Sequence, residues 1–528
     1  MGIYVNPSNK AFLRSYNSVP YVDKSGLIAI LNGCVNTNHS NICVSRPRRF
    51  GKSMAMQMGF AYYSQGCDSR SLFQNMEISK AEGWDRYLNK FNVIRLDLIN
   101  FFDENYSTID SVNDMNNAII NELKQEFTEI DLSNVHDIAG AIATIYNTCE
   151  EQFIFFIDEY DMPIRIKSEI EELRPYLNFL NKLFKNSDLT DAIALAYLTG
   201  ILPPIADRVE SKLNNFKQYS ILSPKEMAPY FGFTTSEVKR LSEQYGIDYI
   251  DCCRWYDGYK IFIENNYTDI FNPQAVAEAI RDGECNSYWP ETASYEPISE
   301  QINRNADGIQ EAIIKMLTKE SVPVDVSGFL NSLDKIETRD EILTYLIHLG
   351  YLSYDAQNKT CTIPNLEIQK RWKLIVSRAN RYNKVNEVLA QSAQLLEDTI
   401  ALKSDKVAEG LRNAHSRIGT ILTYNDEATL QWAIYLAYFS AIEYYTILKE
   451  TPIGEGVADL VFIPYVPNKP AIVIELKVDQ STEVALKQID SRHYTKGLEH
   501  YHGNVLKVAV NYNRKNKEHE CEIREETI

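Results

Sequence analysis

The sequence predicts an α/β protein in three parts: a helix-covered parallel sheet, a mostly helical middle region, and a second, compact α/β module. Three observations predict it. Apolar strand-like runs alternate with amphipathic helical patterns up to residue 200. Helical periodicity then dominates, and a helix–hairpin–strand–helix–strand pattern closes the chain. The expected boundaries are 1–215, 216–400 and 401–528. A chain of 528 residues exceeds one core, and about two to four domains are expected.

Along the chain, "NICV" (41–44), "FNVIRLDLI" (91–99), "FIFFID" (153–158) and "AIALAYLTG" (192–200) are apolar on both faces, as in a doubly covered parallel sheet. "SVNDMNNAIINELKQEF" (111–127) carries apolar residues at helical spacing between two of them. In the middle region, "DGIQEAIIKML" (307–317) reads as a helix. The stretch 335–366 reads as a helix and a hairpin turning at Gln357-Asn358-Lys359, which is winged-helix-like. No basic cluster decorates that helix, so it is expected to pack rather than to read DNA. Further on, 426–448 reads as one long helix capped by Asn425 or Asp426. "GVADLVFIPY", "AIVIELKV", a helix over 481–501 and a strand "VLKVAVNY" complete the module.

Charge and composition exclude several functions. With a net charge of −18 the whole chain cannot be a general polyanion binder, so nucleic acid must be met by local patches or metal-bridged acidic sites. No apolar run is long enough to span a membrane and the start has no secretory pattern, so a cytoplasmic protein is expected. The nine cysteines include the adjacent pair Cys252-Cys253 but no C-x-x-C, which suits a reducing compartment. The eight histidines show no zinc-ligand spacing.

Two constellations carry chemistry. In "CVSRPRRFGKSM" (43–54), Gly51-Lys52-Ser53 follow a strand and open a helix. There backbone N–H groups can face phosphates, Lys52 can reach the β- and γ-phosphates, and the Ser53 hydroxyl can ligate Mg2+. Arg46 stands where a phosphate loop usually has glycine, and Pro47 has no N–H, so Arg46, Arg48 or Arg49 is expected to supply positive charge. Asp158 and Glu159 end the strand 153–158, at the sheet edge where a parallel sheet places ligands. Asp158 can hold Mg2+, and Glu159 can polarise the water attacking the γ-phosphate. Thr199, at another strand end, is a candidate contact to that phosphate or water.

These motifs, with "YVDKSGLI" (21–28), "YLTGI" (197–201), "LNNF" (213–216) and "WYDGY" (255–259), resemble the predicted AAA-ATPase-like family of bacterial proteins, related to archaeal ATPase and STAND-type P-loop NTPases. The resemblance covers roughly residues 1–280. It implies ATP as ligand, with Lys52, Ser53, Asp158, Glu159 and Thr199 at the nucleotide, and makes the arginine-rich loop a family trait. It does not explain Asp23, Tyr256, Asp257 or Tyr259, which either pack or line the pocket. Arg208 is a candidate arginine finger in cis; a second copy of the chain is the alternative source, which would make the protein a homo-oligomer.

In the last module, Glu475 and Lys477 share one face of a strand, and Asp459 lies on the preceding strand across a turn. Two carboxylates suit Mg2+, with Mn2+ as an alternative ion, and a lysine beside them can position a water or offset phosphate charge. "GEGVADLVFI", "AIVIELKV" and "ALKQIDSRHY" resemble the PD-(D/E)xK nuclease superfamily over about 405–520. The resemblance gives Asp459, Glu475 and Lys477 the core catalytic and metal roles, with Gln488 catalytic and Glu427 an accessory metal ligand. Tyr494 is a weaker candidate.

The expectation is an ATP-controlled, metal-dependent nuclease acting on nucleic acid, DNA before RNA. The alternative is an NTP-dependent switch whose last module only binds nucleic acid or a partner.

Overall fold

A computed structural model describes the chain except for residues 1, 168, 205–213, 264–265, 290–295, 305, 330–335, 423–426, 499–500, 502 and 528. Arg208 and the cap candidates Asn425 and Asp426 lie outside the described residues. Two compact units emerge: residues 1–292 with 323–368, and residues 293–322 with 369–528. The stretch 216–400 is thus divided between them.

In the first unit, β1 (Asn41–Ser45), β2 (Asn92–Asp97), β3 (Phe153–Asp158), β4 (Ile193–Gly200) and β5 (Lys217–Tyr219) form one sheet in the order β2-β3-β4-β1-β5. Every pairing is parallel. Alternation within the strands explains why both faces are covered. Phe153, Phe155 and Ile157 join a core with the helices Thr108–Glu126, Ile138–Cys149 and Ile170–Phe184. Ile154 and Phe156 face the opposite core, with the helix Lys52–Tyr63. Burying large side chains at this density is the main force that holds the sheet.

The order leaves β4 between β1 and β3, so the C-terminal ends of three strands bring residues 46–53, 158–161 and 199–202 to one edge. Outside this sheet, β6 (Phe233–Thr234), β7 (Tyr259–Ile263) and β8 (Asn266–Phe271) make a small antiparallel sheet in a region expected to be mostly helical. The helix Arg339–Leu349 and the antiparallel hairpin Ser353–Asp355/Thr360–Thr362 form the expected helix–hairpin pair. A capping box of Thr338 with Glu341 starts that helix, and Gly350 at φ 85° ends it.

The second unit has a five-stranded sheet built, in order, from Tyr445–Ile453, Gly456–Pro464, Ala471–Val478, Asn504–Asn513 and Glu518–Thr527. Only the pairing of Ala471–Val478 with Asn504–Asn513 is parallel. The long helix expected over 426–448 is corrected here: it ends at Ala437, and 445–453 is a strand. Tyr445, Thr446 and Ile447 favour a strand, and eight residue pairs with the next strand outweigh about three more helical turns. Among the described residues no helix is long and apolar enough to cross a membrane.

Candidate functional site

At the sheet edge of the first unit, the loop after β1 turns through Arg49 at φ 71° and Gly51 at φ 87°. Gly51 precedes the helix Lys52–Tyr63, and a Cβ there would meet nothing within 4 Å, so the space beside this backbone position is open. Lys52 is buried, and its ammonium donates to the carbonyls of Arg46 and Pro47, each at 3.0 Å. Burial lowers its pKa, while Glu159, Asp158 and Asp161 pull it back up.

Ser53 donates to Asp158 Oδ2 at 2.7 Å, and the buried Thr199 hydroxyl donates to Asp158 Oδ1. The three side chains thus meet at one carboxylate. Glu159 comes next at φ 50° and pairs with Arg165, and burial raises its pKa. Arg165 also lies 3.1 Å from Asp161, whose Oδ2 accepts from the backbone N–H groups of Ile201 and Leu202. Asp161 therefore ties the end of β3 to the exit of β4. Sequence reasoning missed Asp161 and Arg165, although both lie in the motif "FIDEYDMPI" or one residue beyond it. Asp97 was missed too: it pairs in register with Asp158, and burial followed by the Asp158 charge raises its pKa.

The three loop arginines take different positions. Arg46 is buried, donates to the carbonyls of Ser45 and Tyr219, and lies 5.2 Å over the Phe231 ring. Its guanidinium is therefore taken up by the β1–β5 edge. Arg49 donates to the Tyr288 carbonyl at 3.2 Å, and Arg48 is exposed.

Of the "WYDGY" residues, Tyr259 packs against this loop. Tyr259 meets Phe50 edge-on at 5.1 Å and donates to the Gly350 carbonyl at 2.8 Å. Tyr256 OH bonds both the N–H and the carbonyl of Asn286. Asp257 accepts from Gly258 N–H, and burial raises its carboxyl to about 6. Asp23 accepts from Ser25 and Glu77 N–H groups, a backbone tether. Of the two roles left open by the sequence, these contacts are those of packing.

In the second unit, Leu460 pairs with Ile474, which brings Asp459 beside Glu475. Asp459 Oδ2 accepts from Leu476 N–H at 2.6 Å, and Lys477 Nζ donates to Glu475 Oε1 at 2.7 Å. Leu476, between them, is buried on the opposite face. Glu475 is itself buried, and its Oε2 has no partner. Burial, then the Asp459 charge, raises Glu475 to about 7; burial also raises Asp459, helped by Glu427 and Glu450. Gln488 donates to Tyr494 OH at 3.1 Å, and Tyr494 in turn to the Val457 carbonyl. Glu427 is exposed at the start of its helix. Glu450 lies two residues past the stretch expected as a helix, on a strand whose first residues fall inside that stretch.

Among the described residues no three His, Cys, Asp or Glu side chains form a ready metal cage. The orphaned, buried Glu475 oxygen beside a second carboxylate nevertheless fits a hard divalent cation that keeps several waters. At the loop, the Ser53 hydroxyl on Asp158 and the open space beside Gly51 fit a nucleotide with its magnesium.

Residues 11–209 match the family model described as "Predicted AAA-ATPase", and residues 425–522 match that of the PD-(D/E)XK nuclease superfamily. No curated protein matches in sequence. Among solved structures, Cdc6p from Pyrobaculum aerophilum is 12% identical at TM-score 0.25, covering 71% of this chain and 98% of that one. The Aeropyrum pernix ORC2 protein is 9% identical at TM-score 0.32, covering 70% and 97%. Drosophila ORC bound to GC-rich DNA and Cdc6 gives 11%, TM-score 0.19, and 69% and 93%.

Proposed function

We propose, on the premise that this chain joins a predicted AAA-ATPase domain to a PD-(D/E)XK nuclease superfamily domain, that it binds and hydrolyses ATP to govern metal-dependent cleavage of nucleic-acid phosphodiesters. One observation carries the nuclease half: the partnerless, buried oxygen of Glu475 between Asp459 and Lys477. Lys477 meets only Oε1, and a buried carboxylate oxygen is costly unless a hydrogen bond, a proton or a cation meets it as well.

In the nucleotide half, Lys52 exchanges its two loop carbonyls for the β- and γ-phosphates, and Gly51 lets the backbone approach them. Ser53 and Asp158 would hold the magnesium that accompanies ATP. Glu159, once released from Arg165, takes the proton of the attacking water, and Thr199 contacts that water or the γ-phosphate. Of the three arginines, Arg48 is the one with an exposed side chain free to meet phosphate; Arg46 and Arg49 shape the rim.

In the nuclease half, Asp459 and Glu475, with Glu427 as accessory ligand, would hold Mg2+ or Mn2+, which supplies Lewis-acid stabilisation of charge on the scissile phosphate. Lys477, on the same strand face as Glu475, orients the water or accepts its proton at Nζ. Gln488, steadied by Tyr494, orients the phosphate or water. DNA is the first substrate to test and RNA the second. A reducing cytoplasm suits a chain whose nine cysteines form no disulfide.

A second reading has its own observation. Asp459 and Glu475 already have partners in Leu476 N–H and Lys477, so the module can serve as an ATP-controlled binding surface without cleavage.

Separate calorimetry on each site tests the assignment. Lys52→Ala should lower ATP affinity at least about tenfold while leaving Mn2+ binding by the second unit intact, and Glu475→Gln should do the reverse. If both variants keep both affinities, the assigned residues are wrong.

A further inference from the structure

Cys252 and Cys285 stand 33 residues apart in sequence, yet their sulfurs lie 3.7 Å from each other. Cys252 is buried on the helix Tyr249–Tyr256; Cys285 is half-buried just beyond the helix Pro273–Asp282. The adjacent Cys253 engages Tyr249 instead. The two thiols share a hydrogen bond in which either sulfur can be the donor, so either can carry the thiolate while the other holds the proton.

From Cys285 the backbone runs on to the phosphate loop. Asn286 is clasped through its N–H and carbonyl by Tyr256 OH, each at 2.9 Å. Tyr288 and Trp289 donate their N–H groups to Glu367, at 2.6 and 2.7 Å. The Tyr288 carbonyl takes the guanidinium of Arg49, two residues before Gly51. The segment 285–289 is thus a strap with a dithiol at one end and the loop rim at the other.

We propose that Cys252 and Cys285 are a redox-active pair whose reversible disulfide fixes this strap and changes nucleotide affinity at the loop. The oxidant is a low-molecular-weight disulfide, such as oxidised glutathione. The half-exposed Cys285 sulfur attacks it, forming a mixed disulfide and releasing one thiolate. Cys252 then attacks the Cys285 sulfur, forming the internal S–S bond and expelling the second thiolate. The two thiol protons end on the two released thiols, and the two electrons leave with them. A pair of this kind in a reducing compartment is a sensor, because its disulfide forms only transiently.

The effect on affinity rests on the ATP reading of the loop; the cross-link does not. The test treats the full chain with oxidised glutathione, maps cysteine peptides by mass spectrometry, and measures ATP affinity before oxidation, after it, and after dithiothreitol. The expected result is a Cys252–Cys285 linked peptide and an affinity change of about fivefold or more, both reversed by dithiothreitol and absent in Cys285→Ser. Cys285→Ala should behave as Cys285→Ser does, which separates loss of the thiol from an effect of the new hydroxyl. Cysteines that remain separately alkylated, or linkage to other cysteines, overturn the pair. A clean cross-link with unchanged ATP affinity overturns its control of the loop. No ATP binding in the reduced protein removes the nucleotide reading, while the mapped cross-link is scored independently.

Discussion

Glu475 shows how much a single side chain can decide. Its carboxyl is raised to about 7 because burial disfavours the charged form and Asp459 adds a like charge. The folded protein therefore holds this proton more tightly than the unfolded chain, where a glutamate titrates near about 4.3. The stability it contributes is full below the unfolded value and is lost as pH rises through about 7. A metal needs the ionised form, so its binding takes the opposite trend. Mn2+ affinity should climb between pH 6 and pH 8 and level off above Glu475's pKa, while Glu475→Gln should flatten the profile. The melting temperature in chelator should fall over the same interval in the wild type and less in the variant. A flat wild-type profile would show that Glu475 is not a ligand.

At the scale of elements, the strands were legible where both faces are apolar. Phe153 to Ile157 and Ile193 to Leu198 are short, wholly apolar and rich in aromatic or β-branched residues, as buried strands are, and they bring Asp158 and Thr199 to the same edge as Ser53. The strand Tyr445–Ile453 was hidden because "YYTIL" continues the apolar spacing of the helix before it, and only pairing with Gly456–Pro464 reveals its state. Glu450 vanished with it. Cys252 and Cys285 were illegible as a pair for another reason: a contact between sulfurs 33 positions apart leaves no local pattern. The winged-helix-like hairpin was readable as a shape but not as a neighbour of the loop. Gly350, which ends its helix, sits so close that an added Cβ would lie 2.8 Å from Pro47 Cβ. Gly350→Ala should therefore cost about 2–4 kcal/mol of stability, from left-handed strain and overpacking together. It should also weaken ATP binding, because displacing Pro47 shifts the loop whose backbone faces the phosphates. Denaturant unfolding and nucleotide titration of the variant check both. A neutral effect on each would mean that the loop and this helix do not act together.

Taken as a whole, the molecule has two compact units, each with its own sheet and its own carboxylates. The sequence motifs located both clusters because each depends on short-range rules: a strand ending in paired acids, and a face shared at alternate positions. The supporting contacts come from residues just outside those short patterns, as Arg165, six positions on, is to Glu159 and Tyr494, six positions on, to Gln488. The central claim is that ATP at one unit governs phosphodiester cleavage at the other. Its most direct test is the cleavage rate of end-labelled DNA in Mg2+, with and without ATP, for the wild type, Lys477→Ala and Lys52→Ala. The account predicts cleavage by the wild type that changes with ATP, none by Lys477→Ala, and ATP-insensitive cleavage by Lys52→Ala. No cleavage of DNA, or of RNA in a matching assay with Mg2+ or Mn2+, by a wild-type protein that hydrolyses ATP would contradict it.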